Sequence, residues 1–294
     1  VKLLQTFPQC TECLMGMTHQ AVDLIAGNDP GLRARAESVA REILTDAKRK
    51  NLTSPEAANQ ILRKIRHLSG ISDPFAQFKH NEMAGAERIF SMLDTCGKDD
   101  IRSLVSLAVL GNSLDFFNDA EQALAEIPDL VQGGVSFFHD DIAQLEGFLA
   151  GNPRLILYLS DNAGEIYFDY PLYTYIRERA GRTILVVKGG PSMNDLTLSE
   201  LEGSQLGERF AEVTDTGTDG VGIEWDRVSG AFLSLVDEAD LIISKGMGNL
   251  ETIYPKSIRC PVFFLFKAKC RPIQDYFRSP ADSYWALWHD GAPG

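Results

Sequence analysis

Two textures of apolar and polar residues divide this chain. Up to about residue 150, apolar positions recur at spacings of three and four; beyond it, short apolar runs alternate with helical stretches. In the first part, Leu32, Ala36, Val39, Ala40, Ile43 and Leu44 share one helical face. Ser54-Pro55-Glu56 reads as a helix start, Ser54 capping and Pro55 in the first turn, with Ala57, Ile61, Leu62, Ile65 and Leu68 on one face behind it. Asp73-Pro74-Phe75 opens another helix, which carries Phe78, Met83, Ala84, Ile89 and Phe90. Ile101 to Leu110 forms a strongly apolar helix that ends near Gly111-Asn112. No period-two alternation shows here, so residues 1–150 are expected to form an all-helical N-terminal subdomain.

Residues 151–294 read as an α/β domain. Strand candidates are Leu155–Leu159, Thr183–Val187, Phe210–Val213, Leu241–Ile243 and Val262–Phe266, with helical patterns between most of them. That alternation implies right-handed crossover units and a Rossmann-like, mostly parallel sheet with helices on both faces. In a doubly wound order 3-2-1-4-5, the loop after the first strand meets the loop after the fourth at the switch point. The stretch from Phe277 to Trp288 reads as a helix-like or irregular tail.

Composition narrows the function. The 294 residues carry a formal net charge of −13, with a pI of about 4.8. That balance argues against nucleic acid or an anionic membrane as a general partner. No apolar run reaches the ~18 residues that span a bilayer. The first residues lack the shape of a signal peptide, so a cytoplasmic protein is expected. Five scattered cysteines do not resemble a secreted disulfide framework. Cys10-Thr11-Glu12-Cys13 is a lone C-x-x-C, read equally as half of a zinc site (His19 the nearest further ligand), as a redox pair, or as two reduced thiols near a helix start.

The candidate chemistry sits in the loops at the strand ends. After the first strand, Asp161 and Asn162 place a carboxylate beside a neutral amide, a pair suited to magnesium or manganese, though the same pair also suits an Asx turn. After the second, Asn194-Asp195 adds an acidic pair. Asp195 completes a three-oxygen ligand set with Asp161 and Asn162, leaving room for waters and a substrate phosphate. After the fourth, Lys245 offers a point charge for a phosphate, Gly246 and Gly248 let backbone amides approach an anion, and Asn249 and Glu251 stand where a helix begins. Lys267 and Lys269, at the end of the fifth strand, also suit an anion. Asn112 and Asp115 either cap helix ends or reach toward this site.

Ser-Asp-Asn-Ala-Gly-Glu-Ile at 160–166, Lys-Gly-Gly-Pro at 188–191, Asn-Asp-x-Thr at 194–197, Lys-Gly-Met-Gly-Asn-Leu-Glu at 245–251 and Lys-Ala-Lys-Cys at 267–270 resemble, in this order, the signature set of the metal-dependent damage-control phosphatases, long catalogued as domain of unknown function eighty-nine. The early Cys-x-x-Cys, Asp73-Pro74-Phe75 with Lys79 and Asn81, and Gly111-Asn112 with Asp115 are similar to its microbial branch. Leu196, where a small residue is expected, and Glu200, where Asp is expected, depart from the pattern. The resemblance implies a divalent metal (Mg, Mn, Co or Ni) on Asp161, Asn162 and Asp195. It implies a substrate phosphate near Lys245 and Lys267 or Lys269, with Asn112 and Asp115 joining the pocket. The implied reaction is hydrolysis of phosphate monoesters of small metabolites, such as sugar phosphates or phosphopantetheine-like compounds. The implied partner is a small phosphorylated metabolite, with room for a homo-oligomer. Alternatives are an adenosylmethionine-dependent carboxyl methyltransferase and a phosphometabolite-binding protein without turnover.

Overall fold

The computed structural model describes residues 8–26, 29–93, 100–112 and 134–291. Three helices, α1 (Pro8–Ala26), α2 (Pro30–Lys50) and α3 (Ser54–Ser69), enclose a core of their own that includes Leu14, Val22, Ala36, Leu44, Ile61 and Ile65. The cap of α3 lies one residue before the expected Ser54. Thr53 accepts from Glu56 N at 3.4 Å while Glu56 Oε2 accepts from Thr53 N at 2.7 Å, because a reciprocal capping box needs a three-residue spacing. Next come α4 (Ala76–Met92) and α5 (Ile101–Gly111), which pack on the sheet and on the helix after its first central strand. Asp100 caps α5 through Ser103 N at 2.9 Å, and α5 is buried along nearly its whole surface.

The remaining elements are β1 (Phe137–Asp140), α6 (Ile142–Leu149), β2 (Leu155–Leu159), α7 (Ile166–Arg177), β3 (Arg182–Val187), α8 (Leu198–Glu202), β4 (Val213–Asp215), α9 (Gly230–Glu238), β5 (Leu241–Lys245), α10 (Gly246–Ile253), β6 (Val262–Ala268), α11 (Arg271–Phe277) and β7 (Ser283–His289). They build a seven-stranded sheet in the order β1-β7-β6-β5-β2-β3-β4, and every neighbouring pair is parallel except β6 with β7. The strands β2 to β6 therefore run 3-2-1-4-5, the doubly wound order in which the loops after β2 and β5 meet, with the switch point between those strands.

Alternate side chains of each strand feed two different cores. Ile156, Tyr158, Leu185, Val187, Leu241, Ile243, Phe263 and Leu265 meet α4, α5, α6 and α7 on one face. Leu155, Leu157, Leu159, Ile184, Val186, Ile242, Phe264 and Phe266 meet α9, α10 and α11 on the other. Each such fully buried side chain contributes roughly 1.5–3 kcal/mol, so β2, buried at every position, is the anchored centre of the fold.

Three expectations are corrected. The second half of the tail from Phe277 to Trp288 is β7, paired antiparallel with β6 from Val262↔His289 to Ala268↔Ser283. Its Tyr284-Trp285-Ala286-Leu287-Trp288 run has no alternation, and an unbroken apolar run does not separate strand from helix. The first 150 residues are not all helical, since β1 enters the sheet as a four-residue edge strand too short to show a period. The third strand starts at Val213 rather than Phe210, because Phe210 turns into the core against Tyr170 and Tyr173, with ring centroids 5.4 and 4.7 Å away.

The helical region also clamps the loops at the sheet's carboxyl edge. Arg63 forks onto Asp219 (Nε 2.9 Å) and Glu224 (Nη1 2.9 Å), while Arg66 reaches Pro191 O at 2.7 Å and pairs with Asp219. Asn59 Oδ1 accepts from Val221 N at 2.7 Å. These contacts tie α3 to the loops after β3 and β4, the first of which carries Asp195.

Candidate active site

The loops after β2 and β3 are zipped together at the carboxyl edge. Asn162 and Asp195 form an isolated antiparallel bridge. Ala163 N donates to Asn194 O at 2.8 Å, Leu196 N to Asp161 O at 2.9 Å, and Lys188 N to Leu196 O at 2.9 Å. This pairing brings Asp161, Asn162 and Asp195 onto one short stretch of surface, as expected from the sequence. Leu196 is wholly buried there, so the larger side chain fills the core under the loop.

Glu165, in the 3-10 turn Ala163–Glu165, organises the pair after β2. Its Oε1 accepts from Asn162 Nδ2 at 2.8 Å and from Asn112 Nδ2 at 2.6 Å. With its amide nitrogen committed to Glu165, Asn162 is left with its carbonyl oxygen to offer a ligand. Asn112, at the end of α5, also donates to Asp161 Oδ2 at 3.1 Å and accepts from Lys267 N at 3.3 Å, so it stands beside Asp161. Asp115 lies outside the described residues.

Lys245 stands elsewhere than expected. Side chains alternate along β5, so Lys245 shares the face of Leu241 and Ile243 and its ammonium ends between α5 and α7. It bonds Asp169 Oδ1 at 2.6 Å, Glu165 Oε2 at 2.8 Å and Ala108 O at 2.9 Å, which engages all three of its protons. Lys245 therefore holds Glu165 from behind and does not present its charge to a phosphate. Beside the paired loops after β2 and β3 stands Lys188, at the end of β3, 3.5 Å from Asp195 Oδ2 and bonded to Gly222 O at 2.7 Å and Asn249 Oδ1 at 3.2 Å.

The remaining expected residues divide. Gly246, at φ +75°, lies against the Asp161 carboxylate, where a Cβ would fall 1.8 Å from Oδ2. Asn249 is a buried strut that donates to Ser160 O at 3.0 Å and Lys245 O at 2.9 Å, fastening α10 under the β2 loop. Gly248 packs against Val221 and Gly222 rather than opening to an anion. Glu251 lines a separate cleft with Thr53, Asn59 and Trp225. Lys267 turns its ammonium to Asp282 at 3.2 Å, and Lys269 is exposed at the end of β6.

Five carboxyl groups (Glu82, Asp161, Glu165, Asp169, Asp195) crowd this edge against the two ammonium groups of Lys188 and Lys245. Burial, then Glu165 and Asp195, push the Asp161 carboxyl well above the usual carboxylate range, against the pull of Lys188 and Lys245. Burial also raises Asp195, which Lys188 partly offsets. Burial lifts Asp169 to about 6 although Lys245 pulls it down, and burial followed by Glu165 lifts Glu82 to about 8. Burial works to lower Lys245, but Asp169 and Glu165 outweigh it and hold the ammonium charged. Acid excess in a low-dielectric edge is relieved by a cation. The donors in reach, two carboxylates and an amide carbonyl, are the hard oxygen set that a divalent metal takes. Among the described residues no three His, Cys, Asp or Glu side chains converge as metal ligands, so water and substrate oxygens would complete such a shell.

Glu82, Glu165, Asp169 and Lys188 were not singled out as site residues in the sequence. Signals for two of them are present. Lys79 and Glu82 interrupt the buried face of α4 shared by Met83 and Ala86, and a charge on an apolar face asks for a partner. Glu82 finds Asn194 Nδ2 at 3.3 Å and presses on Gly164, where a Cβ would meet its Cγ at 2.7 Å. Lys188 ends β3 as Lys245 ends β5, so the strand-end position itself was the hint.

Comparison with known proteins covers nearly the whole chain. The model of the damage-control phosphatase ARMT1-like domain matches residues 6–283. A damage-control phosphatase of Pyrococcus horikoshii is 31% identical over 277 residues, 92% of this chain and 94% of its own. One from Archaeoglobus fulgidus is 27% identical over 274 residues, covering 90% and 93%. The crystal structure of a DUF89 family protein from Pyrococcus horikoshii superposes with a TM-score of 0.87 at 28% identity, covering 97% of this chain and 99% of that one. With its sheet order, its zipped Asp-Asn and Asp loops and a family match over nearly its whole length, this chain belongs to the damage-control phosphatase ARMT1-like family.

Proposed function

We propose that this protein hydrolyses phosphate monoesters of small metabolites, using a divalent metal (Mg, Mn, Co or Ni) held by Asp161, Asn162 and Asp195. The observation that carries the reading is the excess of buried carboxyl groups around one amide carbonyl at the switch point of the sheet. When bound, the metal would supply charge neutralisation for the phosphate and a more acidic water.

The chain's own residues prepare that chemistry. Glu165 orients Asn162, and Lys245 holds Glu165 against α7. Asn112 steadies one oxygen of Asp161, and Gly246 leaves the space in which that carboxylate stands. Lys188 puts a positive charge beside Asp195, where an incoming phosphate adds negative charge. Phosphoryl transfer asks mostly for positioning and electrostatic complement, and a cluster fixed by backbone pairing on rigid strands supplies both.

The test is a phosphate-release screen over sugar phosphates and phosphopantetheine-like compounds, with each metal added to chelator-treated protein. Turnover should require metal and vanish in Asp161→Ala. Metal-independent turnover, or near wild-type rates in Asp161→Ala, would overturn the reading.

A further inference from the structure

One residue beside Asp195 holds a backbone conformation that its own side chain disfavours. Met193 has φ +47°, in the left-handed region. It is the second residue of the turn Ser192–Asp195, which closes with Asp195 N donating to Ser192 O at 2.9 Å. Turns with a positive φ at that position take glycine, asparagine or aspartate. Glycine has no Cβ to clash, and the other two carry a polar group that bonds the local backbone. Methionine has neither advantage, so tertiary contacts must hold it there.

Those contacts come from the helical region. The Met193 side chain packs on the core shared by α1, α2 and α3, beside Val221, whose N–H donates to Asn59 Oδ1. Before it, Pro191 O accepts from Arg66 Nη1 of α3 at 2.7 Å, and Ser192 is wholly buried. After it, Asn194 Nδ2 donates to Glu82 Oε1 of α4 at 3.3 Å. Then the partners change: Asp195 bridges to Asn162, and Leu196 N donates to Asp161 O at 2.9 Å. Between Met193 and Leu196 the chain thus passes from the grip of the helices to the pairing that assembles the proposed ligands.

We propose that Met193 is the positioning residue of Asp195: seated in the α1–α3 core, its side chain fixes the turn and so sets the Asp195 carboxylate beside Asp161 and Asn162. Resting on the divalent-metal reading above, this makes a core that supplies none of the three ligands a determinant of metal affinity. A residue that only filled the core would not need the disfavoured backbone. Relaxing φ from +47° to the ordinary helical value would turn the next peptide by about 110°. Asn194 and Asp195 would leave their partners with it.

For the test, chelator-treated full-length protein is titrated with Mn²⁺ alone. Free Mn²⁺ is read by electron paramagnetic resonance, well below the melting temperature of each variant. Met193→Ala keeps the disfavoured backbone and removes the anchor, and should bind Mn²⁺ about tenfold or more weakly. Met193→Gly adopts the turn without strain, so it should resist urea at least as well as Met193→Ala and still bind weakly. Met193→Leu, close in volume, should restore most of the affinity. Leu44→Ala truncates the same core on α2. It should lower the urea midpoint and leave Mn²⁺ affinity unchanged, which separates positioning from loss of packing. Parent-like affinity in Met193→Ala or Met193→Gly, or an equal weakening in Leu44→Ala, would overturn the proposal. A parent protein that binds no Mn²⁺ would overturn the metal reading, and this proposal with it, before any variant is made.

Discussion

Gly246 touches Asp161 so closely that any side chain at 246 would occupy the carboxylate's own space: an added Cβ would lie 1.8 Å from Oδ2 and 2.2 Å from Cγ. The backbone there is at φ +75°, a left-handed conformation that β5 needs in order to turn directly into α10. Two constraints, one conformational and one steric, thus fall on a single residue. Gly246→Ala is expected to displace Asp161 by about an ångström and lower turnover about a hundredfold. The strained backbone would also cost about 1–2 kcal/mol in stability. Steady-state kinetics with a chemical denaturation curve checks both. Full activity in that variant would mean that Asp161 does not act from this position.

Glu165 is the positioning residue of the cluster, since one of its oxygens binds Asn162 and Asn112 and the other binds Lys245. Glu165→Gln replaces an acceptor with an amide that faces either two NH2 groups or an ammonium. Asn162 is then free to rotate its nitrogen toward the ligand position. The expected result is a 10- to 100-fold weaker apparent affinity for the activating metal, in line with the loss of a group that orients a ligand. A metal titration of activity reads this directly. Asn162→Ala should show the same direction. An unchanged metal requirement in Glu165→Gln would remove the orienting role.

Much of this was legible in the chain because it follows from strand logic. The fully apolar β2 run ending in Asp161 and Asn162 marked a strand buried on both faces, and the alternation of textures implied a mostly parallel sheet, of which the doubly wound 3-2-1-4-5 order is one arrangement. The face that Lys245 occupies follows from its parity with Leu241 and Ile243, but the acids waiting on that face come from α7 and the turn before it, which only tertiary packing brings there. The strand-end position of Lys188 was visible, but its pairing was not: its partner Asp195 is seven residues on, across a loop that folds back. The strand β7 was not readable because its aromatic residues lie on both faces of an edge pair, where burial sets no rhythm.

The carboxyl cluster makes stability depend on pH in a definite direction. Glu82 is raised from 4.5 to about 8 and Asp169 from 3.8 to about 6, each first by burial. A carboxyl raised by folding binds more protons folded than unfolded, so stability is present below the unfolded value and drains away as pH rises to the folded one. Metal-free protein should therefore melt at a lower temperature near pH 8 than near pH 6. A divalent cation should raise the melting temperature more at the higher pH, where more of the carboxylates are ionised. Glu82→Gln should flatten the trend, because Gln has no proton to lose. Thermal melts with and without chelator decide it, and greater metal-free stability at the higher pH would show that these acids are not crowded as described.

Lys79 joins the helical region to the segment after Asp195. Its ammonium is fully buried, 2.7 Å from Asp73 Oδ2 and 2.8 Å from Glu200 Oε1. Glu200 also closes a capping box on Thr197 at the start of α8, with Thr197 N donating to Oε2 at 3.1 Å. The longer Glu at this position lets one carboxylate serve the helix cap with one oxygen and the lysine with the other. Lys79→Met would leave two carboxylates facing each other in a partly buried gap, a loss of about 3–5 kcal/mol for a buried pair stripped of one partner. The double variant Lys79→Met with Glu200→Gln should recover part of that, since it removes one of the two stranded charges and leaves only Asp73. Glu200→Asp, one methylene shorter, should keep the cap and weaken the lysine contact, giving a smaller loss. Urea denaturation of the three variants orders them. A Lys79→Met protein within about 0.5 kcal/mol of the parent, the range of ordinary surface substitutions, would show that this buried pair does not hold the Asp195 loop in place.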